Sequence, residues 1–190
     1  MQKLKKTSFT SITKEHIKSF ISLIGENNVL MDDESKNTYG QDETEDLCFE
    51  PEVVLKPKNK DEISKIMSFC YEKNIAVTPR GAGTGLSGGA LPIYGGVCLS
   101  TELLNKIIYI DEDNYQACAE PGVITQAFQE KLEQKGLFYP PDPASKGSCF
   151  LGGNIAENSG GPKAVKYGVV QDYVLNLEIV LPDGNIIWTG

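Results

Sequence analysis

The apolar positions of this chain change period along its length. Ile17, Phe20, Ile21 and Ile24 repeat at i, i+3, i+4 and i+7, with Thr13 placed to cap the start and Gly25 to end it. That spacing predicts a helix over 13–24. The acidic segment that follows, through Tyr39-Gly40-Gln41-Asp42, has no apolar period and reads as an irregular connection. From Glu50 the pattern changes. Val53-Val54-Leu55 is a short apolar strand. Asp61 is placed to cap a helix whose inner face is Ile63, Ile66, Met67 and Cys70. Ile75-Ala76-Val77 is a second strand, ended by Pro79. Strand, helix and strand in so short a span form a βαβ unit, so the two strands should be parallel.

Further strands are expected at Val97-Cys98-Leu99, Ile107 to Ile110 and Tyr115 to Ala119. Pro121-Gly122 opens a helix running from Thr125 to Lys135, with Gly136 as its stop. Asn176 to Leu181 alternates as a strand, and Pro182-Asp183-Gly184 turns it into Ile186-Ile187-Trp188, a hairpin. The expected class is α+β, a mixed sheet with a few helices. Residues 1–49 read as an N-terminal helix and acidic connection, and 50–190 as the main domain.

Charge and composition exclude several functions. The 190 residues carry a formal charge of −8, so a general nucleic-acid binder, which needs a basic face, is disfavoured. One His rules out a multi-histidine metal site and disfavours a His-based triad, because His16 lies in a polar N-terminal stretch. Five Lys fall in residues 1–20 and ten acids in 26–52, which reads as a solvated extension, with a basic docking arm as the alternative. Cys48, Cys70, Cys98, Cys118 and Cys149 form no C-x-x-C pair. Most sit among small or apolar neighbours and read as buried free thiols, which fits a reducing, cytoplasmic compartment. There is no apolar stretch after Met1–Lys6 that would make a signal peptide, and no run long enough to span a bilayer.

Glycine is the informative residue. Of 19 glycines, seven lie in 81–96 and six in 147–168. Dense glycine is costly in backbone entropy and needs a reason. The first window runs Pro79-Arg80-Gly81-Ala82-Gly83-Thr84-Gly85-Leu86-Ser87-Gly88-Gly89. Its N–H groups can converge in a concavity that binds phosphate, because no Cβ blocks approach. The only Arg of the chain, Arg80, stands at its entrance, where its fork suggests a contact that Lys cannot make. The alternative is a glycine-rich turn with Arg80 in a surface ion pair. Gly83 to Gly88 matches G-x-G-x-x-G, but no helical period follows, and no Gly-Lys-Ser/Thr is present. The second window holds Pro140-Pro141-Asp142-Pro143-Ala144-Ser145, then Gly152 to Gly161, then Lys166-Tyr167-Gly168. It reads as a rigid entry followed by small residues that admit a flat ligand, with Asn154, Asn158 and Ser159 offering hydrogen bonds. A buried, self-capping turn is the alternative.

Together these segments resemble the FAD-binding domain of the vanillyl-alcohol-oxidase/PCMH superfamily, in its glycolate oxidase D-subunit and D-lactate dehydrogenase branch. The likeness begins at Tyr39-Gly40-Gln41-Asp42. It continues through Pro51 to Pro57, Pro79 to Pro92, Pro121-Gly122-Val123, Pro141 to Ser145, Gly152 to Gly161 and Lys166 to Gly168, and ends at Leu181-Pro182-Asp183-Gly184.

The resemblance implies a PCMH-type fold, a βαβ subdomain plus a mixed or antiparallel subdomain. It also implies sites. Arg80, Gly81, Ala82, Gly83, Thr84, Gly85 and Ser87 would line the FAD pyrophosphate, with Pro79 and Gly88 as further cofactor-binding positions. Pro141, Asp142 and Ser145 would lie along the ribityl and isoalloxazine side. Gly152, Gly153, Asn154, Ala156, Asn158, Ser159 and Gly161, with Tyr167 and Gly168, would complete the cofactor contacts. Several relatives tether flavin through a His in the glycine loop, where this chain has Thr84-Gly85, so FAD should be noncovalent. Cys149 reads as a packed thiol. The implied reaction is hydride transfer from a D-2-hydroxy acid to FAD. The substrate domain and catalytic base of that branch lie outside these 190 residues, so the chain reads as the N-terminal part of such an enzyme, inactive alone. Two other readings stand beside it. One is a non-catalytic FAD or nucleotide module that complements a separate substrate-domain polypeptide. The other is a structural remnant with an empty loop.

Overall fold

The computed structural model of the chain describes residues 9–190. Helix α1 (Lys14–Ile24) starts at Thr13, whose hydroxyl accepts from His16 N, and ends at Gly25, as its pattern predicts. The segment after it is not irregular. It holds a short strand, β1 (Val29–Leu30), and a helix, α2 (Asp33–Tyr39). The α2 sequence DESKNTY has no apolar stripe, so hydrophobic periodicity could not reveal it. Its start is fixed instead by Asp32, whose Oδ1 accepts from Ser35 N at 2.8 Å.

The main sheet contains β1, β2 (Val53–Leu55), β4 (Val97–Ser100) and β3 (Val77–Arg80), in the order β1-β2-β4-β3. The strands β2, β4 and β3 are parallel, and β1 is antiparallel to β2. The βαβ expectation holds in direction, but β4 lies between the two strands of that unit. The connecting helix α3 (Lys60–Lys73) begins at Asn59, whose Oδ1 accepts from Glu62 N at 2.9 Å. Asp61 is therefore not its cap. It lies in the first turn, where its charge suits the positive end of the helix. The second strand is also displaced, to Val77–Arg80. Pro79 lies inside it rather than ending it, which an edge strand paired on one side tolerates.

Two cores result. Phe20 and Ile24 of α1 and Ile66 and Cys70 of α3 pack on Val53, Leu55, Val97 and Leu99 of the sheet. All of β2 and β4 is buried, including Val54 and Cys98 on the opposite face, as in parallel sheets covered on both sides. The second core lies beneath the antiparallel pair β5 (Ile107–Asp111) and β6 (Gln116–Ala119). There Val123, Leu151 and, from helix α4 (Thr125–Glu133), Phe128 and Leu132 meet Ile107, Ile110, Ala117 and Ala119.

The second glycine window is partly helical. Gly152 and Gly153 lie within α5 (Leu151–Ala156), and Tyr167 ends α6 (Ala164–Tyr167). Both glycines are poor helix formers, so local propensity argued against what tertiary contacts enforce. The last hairpin, β7 (Glu178–Val180) with β8 (Ile186–Trp188), forms as predicted but shorter. It sits on α3, where Ser64 Oγ donates to the Gly184 carbonyl at 2.6 Å and Lys60 Nζ lies 2.6 Å from Glu178. All five cysteines are free. Cys70, Cys98 and Cys149 are buried, Cys118 is half-buried and Cys48 is exposed. No helix among the described residues is long and apolar enough to cross a membrane.

Candidate cofactor-binding site

The three parallel strands end side by side, and their carboxyl ends deliver Lys56, Arg80 and Glu102 to one edge. Ligands of open α/β sheets bind in this position. The glycine loop leaves β3 here. Two clefts flank it. One, of about 240 Å³, is lined by Thr38, Tyr39, Arg80, Gly81, Ala82, Glu102, Ser148 and Phe150. The other, of about 380 Å³, adds Asn37, Gln41, Asp42, Glu43 and Gly83, and shares Thr38, Arg80 and Ala82 with the first.

The loop is held at both ends and at its tip. Glu43 N donates to the Gly85 carbonyl at 3.1 Å, and Gly88 N donates to Thr44 Oγ1 at 2.9 Å. Ser87 Oγ donates to Glu157 at 3.1 Å, just after α5. Gly81 faces Gly153: a Cβ on Gly81 would lie 3.8 Å from Gly153 Cα. The structure therefore brings the first glycine window against α5 of the second. It also brings in residues 37–43 and Phe150, to which the sequence reading gave no role. Their one signal was Tyr39-Gly40-Gln41-Asp42, where the resemblance begins.

Other expected site residues are engaged within the protein. The Arg80 guanidinium is buried and donates to main-chain carbonyls of the α2 end, not into the loop. Asn154 is buried and donates to Thr125 Oγ1 at 2.5 Å. Asn158 Oδ1 accepts from Gln171 N at 2.9 Å. The main chain of Ser159 bonds Asn154 and Val170, and the Ser145 carbonyl builds the turn into Cys149. The Pro141 carbonyl accepts from Gln129 Nε2 at 2.8 Å, and Asp142 Oδ1 accepts from Lys163 N at 3.2 Å. Gly161 packs on Asp142, Gly168 on Asp172, and Gly152 on Pro121. The Tyr167 ring stands edge-on to Phe138, with centroids 5.5 Å apart. Ala156 is exposed and Thr84 half-buried.

Two glycines are left without an internal reason. At Gly85 and at Gly153 an added Cβ would meet nothing within 4 Å, and neither has a left-handed backbone. Alanine would fit both, and in α5 it would be the better helix former. A ligand that must approach the backbone closely accounts for both, so the loop and α5 fit a phosphate-bearing flat cofactor.

Electrostatics of the edge centre on Glu102. Burial would raise its carboxyl, but hydrogen bonds from Lys56, Tyr39 and Ser100, together with the Lys56 charge, outweigh that and hold it below the usual carboxylate value. Burial and the same carboxylate push the Tyr39 phenol well above its ordinary value. Because the folded carboxyl sits below its unfolded value, it stabilises the fold at neutral pH, and that contribution is lost as pH falls through the folded value. Glu102→Gln is expected to lower stability by a constant amount above about pH 6, the difference shrinking in acid. Urea unfolding at stepped pH checks this; a gap that is unchanged down to about pH 3 would contradict it.

Comparison with known proteins decides the family. A family model described as FAD binding domain matches residues 51–190. The chain belongs to the FAD binding domain family. It is 45% identical over 179 residues to glycolate oxidase subunit GlcD of Bacillus subtilis (strain 168), covering 94% of this chain and 38% of that protein. It is 39% identical to the D-lactate dehydrogenase of Anaerostipes hadrus, over 96% of this chain and 38% of that one. With the mitochondrial D-2-hydroxyglutarate dehydrogenase of Arabidopsis thaliana it shares 35% identity, over 94% of this chain and 32% of the relative. The chain thus spans less than two-fifths of the length of these relatives. An alkyldihydroxyacetonephosphate synthase shares the fold at a TM-score of 0.83 and 19% identity, over 92% of this chain and 38% of that one. p-Cresol methylhydroxylase with substrate bound does so at 0.77 and 23%, over 92% and 34%. The fold of this FAD binding domain is the α+β PCMH-type fold that the sequence resemblance implied.

Proposed function

We propose that this chain is the FAD-holding part of a flavin-dependent D-2-hydroxyacid dehydrogenase or oxidase, acting on a small substrate such as glycolate or D-lactate. The observation that carries the cofactor half is the pair Gly85 and Gly153, kept open where nothing in the protein requires glycine. The substrate half rests on the names of the relatives. The glycine loop and α5 would hold the diphosphate and the adjoining flavin through backbone N–H groups. FAD would supply the hydride-accepting centre.

Binding would be noncovalent. His16, the only histidine, accepts from Thr13 N at the start of α1 and packs edge-on against Phe69, in the α1–α3 packing. No His or Cys lines either cleft. The unpaired thiols support a reducing, cytoplasmic setting. Residues that bind the substrate carboxylate and take its hydroxyl proton would come from outside these residues, so the chain alone would be inactive. Adding FAD to the purified chain is expected to give a protein-bound flavin spectrum, which glycolate or D-lactate does not bleach under anaerobic conditions. No bound flavin would sink the cofactor half; bleaching would sink the claim of inactivity.

A second reading is a non-catalytic module completed by a separate polypeptide. It is favoured by the two-stranded sheets β5–β6 and β7–β8, which expose Ile108, Tyr109, Ile187 and Trp188. Two-stranded sheets are marginal unless packed.

A further inference from the structure

The glycine loop has an unusual support. Arg80 is 8% exposed and has no carboxylate partner among the described ion pairs. Its Nη1 donates to the carbonyls of Gln41 at 2.6 Å and Tyr39 at 3.3 Å, and Nη2 reaches that of Thr38 at 3.5 Å. These are the last carbonyls of α2 and its exit, the negative end of a helix. The Tyr39 ring centroid lies 5.4 Å from Arg80 Cζ. Against the same guanidinium lies the main chain of Gly83. Gly83 has φ +76°, and a Cβ there would fall 2.8 Å from Arg80 Cζ and overlap Nη2. The loop is therefore folded directly onto the guanidinium, which α2 holds from the far end.

Charge around the clefts points the same way. Among the described residues no lysine lines either cleft, whereas Asp42, Glu43 and the Lys56-paired Glu102 do, and Arg80 is the one cation lining both. Asp42 Oδ2 is buried without a hydrogen-bond partner among the described residues. The Nη1 and Nη2 groups of Arg80 are instead engaged by the carbonyls of Thr38, Tyr39 and Gln41.

We propose that Arg80 is a positioning residue: its guanidinium, anchored on the α2 carbonyls, is the template that shapes the glycine loop, and it does not touch the cofactor's phosphates. This rests on the FAD reading above. The diphosphate is then bound by neutral backbone N–H donors in an acidic surround. Lysine cannot replace Arg80, because an ammonium lacks the planar fork that spans carbonyls of three residues while supporting Gly83. Adding salt does not weaken binding, since there is no cation–phosphate attraction to screen.

Arg80→Lys, Arg80→Gln and Gly83→Ala test this. FAD affinity is titrated by flavin fluorescence between about 20 and 300 mM KCl, with far-UV circular dichroism to confirm folding. Arg80→Lys is expected to lose FAD affinity tenfold or more, as much as Arg80→Gln does, and the wild-type affinity is expected not to fall with salt. Gly83→Ala, which keeps the arginine charge, is expected to lose binding to the same extent. An Arg80→Lys affinity within twofold of wild type, with Arg80→Gln alone defective, would overturn the proposal. So would a wild-type affinity that falls tenfold with salt. If the wild-type chain binds no FAD, the cofactor reading fails but this one remains decidable. A urea-unfolding cycle of Arg80→Ala and Gly83→Ala is then expected to be non-additive, because the methyl introduced by Gly83→Ala is better tolerated once the guanidinium is gone. Additivity in that cycle would overturn the template role.

Discussion

Gly153→Ala should stabilise the cofactor-free chain and weaken its hold on FAD by about fivefold or more. The two effects have separate causes. Gly153 lies in α5, a short helix, with an ordinary helical backbone and open space where a Cβ would go. Alanine there restricts the unfolded chain and favours the helix, worth ~0.5–1 kcal/mol. For a chain of this length that is a rise of roughly 2–4 °C in melting temperature per kcal/mol. The same methyl enters open space on α5, the helix whose Gly153 lies against Gly81 of the glycine loop, and a cofactor held between loop and helix would meet it. Overfilling a fitted site costs about 1–3 kcal/mol, and ~1.4 kcal/mol is tenfold in affinity. Gly85→Ala should behave alike, because its Cβ position is also open. Gly152→Ala is the contrast: its Cβ would lie 2.7 Å from Pro121 Cβ, so it should destabilise the chain itself. Thermal unfolding without FAD and fluorescence titration with it separate the cases. Wild-type affinity in both Gly153→Ala and Gly85→Ala would remove the main support for the cofactor site.

The largest loss of stability is expected at Gly96, well away from the clefts. Gly96 precedes β4 with φ +68°, and a Cβ there would overlap the Ala76 carbonyl and lie 3.1 Å from Ala76 Cβ. That carbonyl accepts from Val97 N at 2.8 Å, while the Gly96 carbonyl accepts from Glu52 N at 2.8 Å. The position thus locks the entry of the central strand between its two neighbours and has no free direction to relax. Left-handed backbone costs ~1–2 kcal/mol for an L side chain, and overpacking ~1–3 kcal/mol. Gly96→Ala should therefore lose about 2–5 kcal/mol of a total near 5–15 kcal/mol. The urea midpoint should fall with little change in slope. FAD binding should weaken as well, because this sheet carries Arg80 and Glu102 at its far end. A midpoint within error of wild type would show that the β4 entry has slack that the packing does not reveal.

Elements with an apolar stripe were legible in the sequence. The α1 and α3 helices, β2, β4 and the β7–β8 hairpin each write their burial into a period, and Thr13 and Gly25 mark the ends of α1. Elements fixed by tertiary contacts were not. The α2 helix has one large apolar residue, Tyr39, whose hydroxyl is tied to Glu102 on a distant strand end. The α5 helix is built through two glycines that no propensity scale would place there.

The sequence by itself determined the cofactor family, because the order of the glycine windows and their flanking prolines is a one-dimensional property that the family model also matches over 51–190. It also pointed to the segments proposed to hold the cofactor, since dense glycine is a signal of close backbone approach. Only the tertiary structure decided what each residue does there. Whether Arg80 faces a phosphate or a helix end depends on where α2 docks, about 40 residues earlier in the chain, and Gly83 and Gly85 differ in what stands opposite them. Those are facts of packing between segments distant in sequence, and no local pattern encodes them.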